Sequence, residues 1–247
     1  MADNFDCRYR HDASTQGTHY YNSNGYGWIT NFQQNQGTKI CYAFASIALL
    51  EAYANLYFNS NVGPNGSSTH QINLNQSEMQ LIRCYNILFP STCYEMGPSI
   101  NNIMGYMCMY YIVNEECFPL NCGSLPDCPV PWTNPVTDEV MMEYHHQLTS
   151  NDEEVIKETL IKYGPISCGI AIDPLNNIYH QSLLVGYFIS QPGDTVYYGN
   201  GIQDPPIILD EDYNGLGSVT WIFKDNEHNW WPYTQTSNIL VSESEFF

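Results

Sequence analysis

From Cys41 to Phe58 the chain reads CYAFASIALLEAYANLYF, with apolar side chains on nearly every face of the helix this composition favours. A helix that is hydrophobic all round cannot lie on a surface and has to be wrapped by other elements. The bilayer is not the alternative, because the longest uninterrupted apolar run, around Ile47 to Leu50, is far too short to span one. The segment therefore predicts a buried helix, and with 247 residues there is material for one large domain or for two lobes that share an interface.

The remaining pattern changes along the chain. A second helix is expected from Ser77, which forms a capping-box pattern with Gln80 ahead of Leu81 and Ile82. Residues 99–113, rich in Met and Ile, form a third candidate. In the fourth, Ser150 with Glu153 reads as the cap, Val155, Ile156, Leu160 and Ile161 line one face, and Gly164-Pro165 ends it. Beyond that point the runs are short and β-type: Ile166–Ile172, Leu183–Phe188, Thr195–Tyr198, Ile207–Leu209 and Val219–Phe223. Helices first and strands second predict an α+β chain. Its halves are expected at 1–114 and 115–247, divided in the cysteine-bearing stretch between Asn114 and Pro135.

Charge excludes whole classes of partner. Seven Lys+Arg stand against 26 Asp+Glu, for a formal charge of −19, so nothing here could neutralise a row of phosphates. Nucleic acid and anionic membrane surfaces are thereby poor partners. Disorder is equally excluded by 43% hydrophobic and 14% aromatic residues. The N-terminus, MADNFDCRYRHDAS, has no apolar core of the kind a secretory signal needs. It reads as a chain made inside a cell, with secretion or a lysosome following if this is a mature form. Nine cysteines is an odd count, so at least one is unpaired or bridges to another chain.

Cys41 heads the buried helix. Backbone N–H groups and the positive end of the helix dipole favour a thiolate there, and a thiolate is the nucleophile of cysteine hydrolases. The histidine such chemistry needs is available at His180, 139 residues downstream and just before the strand at Leu183.

Around these two residues the chain resembles the papain-like cysteine peptidases in six places, in order. Asp6-Cys7-Arg8 is similar to the Asp-Trp-Arg near the mature start, and Asn35-Gln36-Gly37 with Cys41-Tyr42-Ala43-Phe44-Ala45-Ser46 to the segment of the oxyanion glutamine and the nucleophile. Leu74–Leu81 with Cys84 resembles the family's Leu-Ser-Glu-Gln-Glu-Leu-Leu-Asp-Cys, and Tyr163–Ser167 the Gly-Pro entry to the second lobe. His180 with Val185-Gly186-Tyr187, and Trp221-Ile222-Phe223-Lys224, resemble the histidine strand and the strand that leads to the orienting asparagine. The resemblance implies a two-lobe fold with Cys41 as nucleophile, His180 as base and then acid, and Gln36 with the Cys41 N–H as oxyanion hole. It also implies a disulfide from Cys84 to Cys122 or Cys128.

Departures from the family pattern surround the site. Lys39-Ile40-Cys41-Tyr42 replaces Cys-Gly-Ser-Cys-Trp, which leaves Cys93 without its usual partner and brings Gln36 one residue closer to the nucleophile. Asp225 stands where the orienting asparagine is expected, and Asn226-Glu227-His228 where Ser-Trp-Gly would be. Cys93-Tyr94-Glu95-Met96-Gly97 puts bulky side chains on the substrate platform, and the mature-like start so soon after Met1 reads as a chain expected to lack the inhibitory prosegment. No cofactor is implied. His145-His146 point to different faces of any element and read as surface histidines rather than metal ligands. Asp210, Glu211 and Asp212 read as a solvated loop, and Cys117, Cys122 and Cys128 as disulfide rather than zinc cysteines.

These departures favour a papain-fold protein with little or no peptidase activity, kept for structural self-assembly. Few bases and 20 tyrosines suit a dense, trypsin-resistant lattice of copies of itself. Near pH 10 and above, tyrosine and free cysteine ionise and add to the existing negative charge. Dissolution in alkali follows, as in a viral occlusion body built of a polyhedrin-like matrix. The alternative is an active endopeptidase with a Cys41-His180-Asp225 site and a peptide substrate.

Overall fold

In the computed structural model, helix α1 runs Cys41–Asn59. The structure describes residues 4–7, 29, 40–59, 74–85, 100–120, 140–143, 145, 148, 152–173, 178–196, 207–208, 217, 219–225, 229–233 and 239–240. Every residue from Tyr42 to Ala54 is buried, as an apolar surface on all sides requires. The helix is enclosed by elements from both halves of the sequence. Helices α2 (Glu78–Gln80) and α3 (Ile100–Met107) pack on it, and so do strands β2 (Ile166–Asp173) and β3 (Ile178–Ile189). No helix among the described residues is long and apolar enough to cross a membrane.

Local signals explain most of the helix ends. Ser77 caps α2 by accepting from the Gln80 N–H at 3.1 Å, after which the helix widens into a π turn at Leu81–Tyr85. Helix α3 stops well short of the predicted residue 113. The Gln80 side chain takes the groups a longer helix would need, donating to Tyr111 O at 2.7 Å and accepting from Val113 N at 2.8 Å. Ile112 instead bridges to Val140. Helix α4 spans Glu153–Tyr163, and its cap is Asp152 rather than Ser150. One Asp152 oxygen accepts from Glu154 N at 2.9 Å and Val155 N at 3.3 Å. Gly164 closes the helix at φ 116°, a backbone conformation that favours glycine.

The sheet is antiparallel. Its order is β7-β6-β3-β2-β8, with β6 at Val219–Asp225, β7 at Asn229–Tyr233 and β8 at Ile239–Leu240. Strand β3 begins five residues before the predicted Leu183, because β2 pairs with it from Ile166↔Leu184 down to Asp173↔Ile178. Pro232 lies in β7, the edge strand, where a missing N–H costs no ladder bond on the open side. The N-terminal strand β1 (Asn4–Asp6) pairs with Phe188, Tyr187 and Gly186 of β3, so the first residues join the sheet made by the last third of the chain. A separate two-stranded ladder joins β4 (Thr195–Val196) to β5 (Ile207–Ile208). Tyr187, Trp221 and Phe223 fill the space between sheet and helices, with Tyr187 edge-on to Trp221 at 5.8 Å. The architecture is α+β, as the sequence order of elements predicts. Cys84 is disulfide-bonded, and Cys122 and Cys128 lie outside the described residues.

Candidate active site

Cys41 is the first residue of α1, with a free thiol. It is half-buried, whereas Ile40 before it and the residues that follow are buried. The helix starts here because the chain turns at once, the Ala43 N–H reaching Ile40 O at 3.0 Å. Cys41 therefore stands at the N-terminal end of α1, where the helix dipole is positive.

His180 lies inside β3 rather than ahead of it, opposite Ile170 of β2. It is only 6% exposed. Asp225 ends β6, its backbone opposite Asn229. The neighbouring pair Leu183↔Lys224 sets the register between β3 and β6, and the Ser182 hydroxyl fixes it by donating to Lys224 O at 2.7 Å. Asp225 thus follows level with Ser182, two residues along β3 from His180, or roughly 7 Å of strand. Residues two apart share a face, so Ser182 and His180 lie on one side of β3. The structure brings His180 and Asp225 onto adjacent strands and packs the Cys41 helix against the strand of His180. Gln36 lies outside the described residues, as do Cys93, Glu95, Met96 and Asn226–His228.

Sequence comparison decides the family. The family model described as papain family cysteine protease matches residues 19–231. The chain belongs to the papain family. No functionally curated protein matches it. Solved structures of the same fold do. Digestive procathepsin L 3 from the larval midgut of Tenebrio molitor superposes with a TM-score of 0.61 at 16% identity, over 98% of this chain and 69% of that one. The ragweed pollen allergen Amb a 11, a cysteine protease in its proform, gives 0.61 at 16% identity, over 98% and 65%. A structure from work on the mite allergens Blo t 1 and Der p 1 gives 0.55 at 17% identity, over 99% and 71%.

Other candidate groups of this papain-family chain divide plainly. Among the described residues no three His, Cys, Asp or Glu side chains are placed to hold a metal ion. His145 is half-buried, with Nδ1 3.7 Å from Cys108 Sγ, and Cys117 is free and exposed. His146, Asp210, Glu211 and Asp212 lie outside the described residues.

One set of residues beside the site is not apparent in the linear sequence. Glu51 of α1, Glu78 of α2 and Lys224 of β6 are buried at 3%, 4% and 8% exposure. Glu51 Oε1 accepts from the Gln76 N–H at 2.7 Å. Burial holds the Lys224 ammonium below the usual lysine range, while Glu51 and Glu78 pull it back up. Lys224 immediately precedes Asp225, so this buried attraction anchors the end of β6 where the third candidate residue stands. The only linear sign is a glutamate in the middle of an otherwise apolar helix.

Proposed function

We propose that this papain-family chain is a cysteine peptidase that cleaves peptide bonds through Cys41. The observation that carries this reading is the placement of Cys41: a free, half-exposed thiol opening a helix whose next thirteen residues are buried. In the proposed reaction the Cys41 thiolate attacks the scissile carbonyl, and the oxyanion is met by the Cys41 backbone N–H and the Gln36 amide. His180 accepts the thiol proton and returns it to the leaving amine. Asp225, in the asparagine's place, orients the imidazole and stabilises its charged form, as a carboxylate does in other triads. Water then releases the acyl group. The test is to treat the protein with a thiol-directed epoxide while assaying peptide hydrolysis. Wild type is expected to carry the label on Cys41, and Cys41→Ala to lose both label and turnover, by on the order of 10⁴-fold or more. Neither labelling nor hydrolysis in wild type overturns the reading.

A second reading is favoured by a specific surface. Met109, Tyr110, Tyr111 and Met141 are exposed, at 66%, 40%, 51% and 39%, and the Ile112–Val140 bridge draws their two segments together. Such a patch fits self-association in a lattice that dissolves in alkali, of the occlusion-body kind. Interior tyrosines would not drive that dissolution early, since burial pushes Tyr106 up to about 12. Light scattering by particles that clear sharply above about pH 10, with no Cys41 labelling, is the outcome that favours this reading over the enzyme.

A further inference from the structure

We propose that Cys108 and His145 form a second reactive thiol site, which exchanges with small neutral disulfides of aromatic or apolar character. This holds whether or not Cys41 is active.

Two segments bring the pair together. Cys108 follows the last residue of α3, and its N–H extends the helix ladder by reaching Met104 O at 3.0 Å. The segment of His145 is laid alongside by backbone bonds. Ile112 N–H reaches Val140 O at 2.7 Å, Val140 N–H reaches Ile112 O at 3.0 Å, and Met142 N–H reaches Met107 O at 3.1 Å. His145 Nδ1 then stands 3.7 Å from Cys108 Sγ, within reach of a thiol hydrogen bond. Cys108 is free, and both residues are half-buried, so the pair is held by packing yet open to a small reagent.

Two features oppose a thiolate at Cys108 without a partner. It lies at the C-terminal end of α3, where the helix dipole is negative. Burial also pushes the thiol above its usual range. The same dipole favours a protonated imidazole, so reactivity here depends on His145. At rest a neutral thiol donates to Nδ1 of an imidazole that carries its proton on Nε2. In the reaction the Cys108 proton passes to Nδ1 as the sulfur attacks one sulfur of the disulfide. The new S–S bond forms as the old one breaks, and the leaving thiolate takes the proton from the imidazolium. The reagent's own disulfide is the oxidant, and a small thiol reverses the step.

The surroundings select the reagent. Met109 directly follows Cys108, Met141 adjoins the residue bonded to Met107 O, and both side chains are exposed. Aromatic and apolar groups gain contact on such thioethers. An anionic disulfide instead meets a chain with a net charge of −19.

The experiment treats the full chain with dithiodipyridine at neutral pH and follows each cysteine by peptide mapping. Cys117, free and exposed, is the reference, and the buried Cys168 reports any unfolding. In wild type Cys108 is expected to react at least as fast as Cys117, and that ratio to fall when oxidised glutathione replaces the aromatic reagent. His145→Gln should slow Cys108 by on the order of 10²-fold, the low end of what a positioned base supplies, and leave Cys117 unchanged. An unchanged or faster Cys108 in a variant whose Cys168 stays unlabelled overturns the proposal. Should Cys168 become labelled, wild type decides: a Cys108 slower than Cys117 is what burial alone dictates, and it sinks the site. A ratio that does not fall with glutathione overturns the selectivity.

Discussion

Lys224 does more for this molecule than its lone mention in a strand motif would indicate. It is 8% exposed, and its ammonium is drawn to Glu51 and Glu78, while its carbonyl accepts the Ser182 hydroxyl. Removing one partner of a buried charge set leaves the others uncompensated. Lys224→Met is therefore expected to lose about 3–5 kcal/mol in urea unfolding, more than most surface changes by a wide margin. A loss under about 1 kcal/mol would show that the carboxyls relax without it. At this scale the sequence was legible where chemistry is local. A cysteine heading an apolar helix announces itself, and its structure agrees. The meeting of Glu51, Glu78 and Lys224 was not legible, because it joins positions on three elements and leaves no spacing to read. His180 falls between these cases: its identity was plain, but its burial depends on β3 extending back to Ile178, which only the pairing with β2 dictates.

Elements ended where side chains competed for the backbone. Gln80 shortens α3 by holding Tyr111 and Val113, a long-range effect that a run of Met and Ile cannot display. Asp152 displaces Ser150 as the cap of α4, two residues later, by accepting from two N–H groups of the first turn. Inside that helix Lys157 is paired with Glu153 and Glu154, and its stem is covered, with Nζ 5.3 Å from the Tyr187 ring centroid. Asp152→Ala should cost about 1 kcal/mol of stability, measured by chemical denaturation, whereas Ser150→Ala should be nearly silent. The reverse order would return the cap to Ser150. Strand β1 went unread for a simple reason: three residues, Asn4–Asp6, carry too short a pattern, and their pairing partner is β3, far along the chain.

For the whole molecule, order of elements was enough. Helices followed by strands, with a cysteine at the first helix and a histidine in the sheet, point to one architecture, and the family match over residues 19–231 agrees. The net charge of −19 acts at this scale too. Self-repulsion among so many acids and so few bases is screened by salt. The thermal midpoint at neutral pH is expected to rise by several degrees between low ionic strength and about 0.5 M sodium chloride, as scanning calorimetry can record. A salt-independent midpoint would place the acidic groups too far apart to matter.

The wrapping of α1 has a consequence during synthesis. Its sheet-side cover, β2 and β3, ends at Ile189, roughly 130 residues after the helix itself is complete. At translation speeds of about 5–20 residues per second, a largely apolar helix waits on the order of ten seconds before that cover exists. The nascent chain is thus a client for whatever cellular factor shields greasy segments at the ribosome, and slowing translation before β3 should lower soluble yield more than slowing it after.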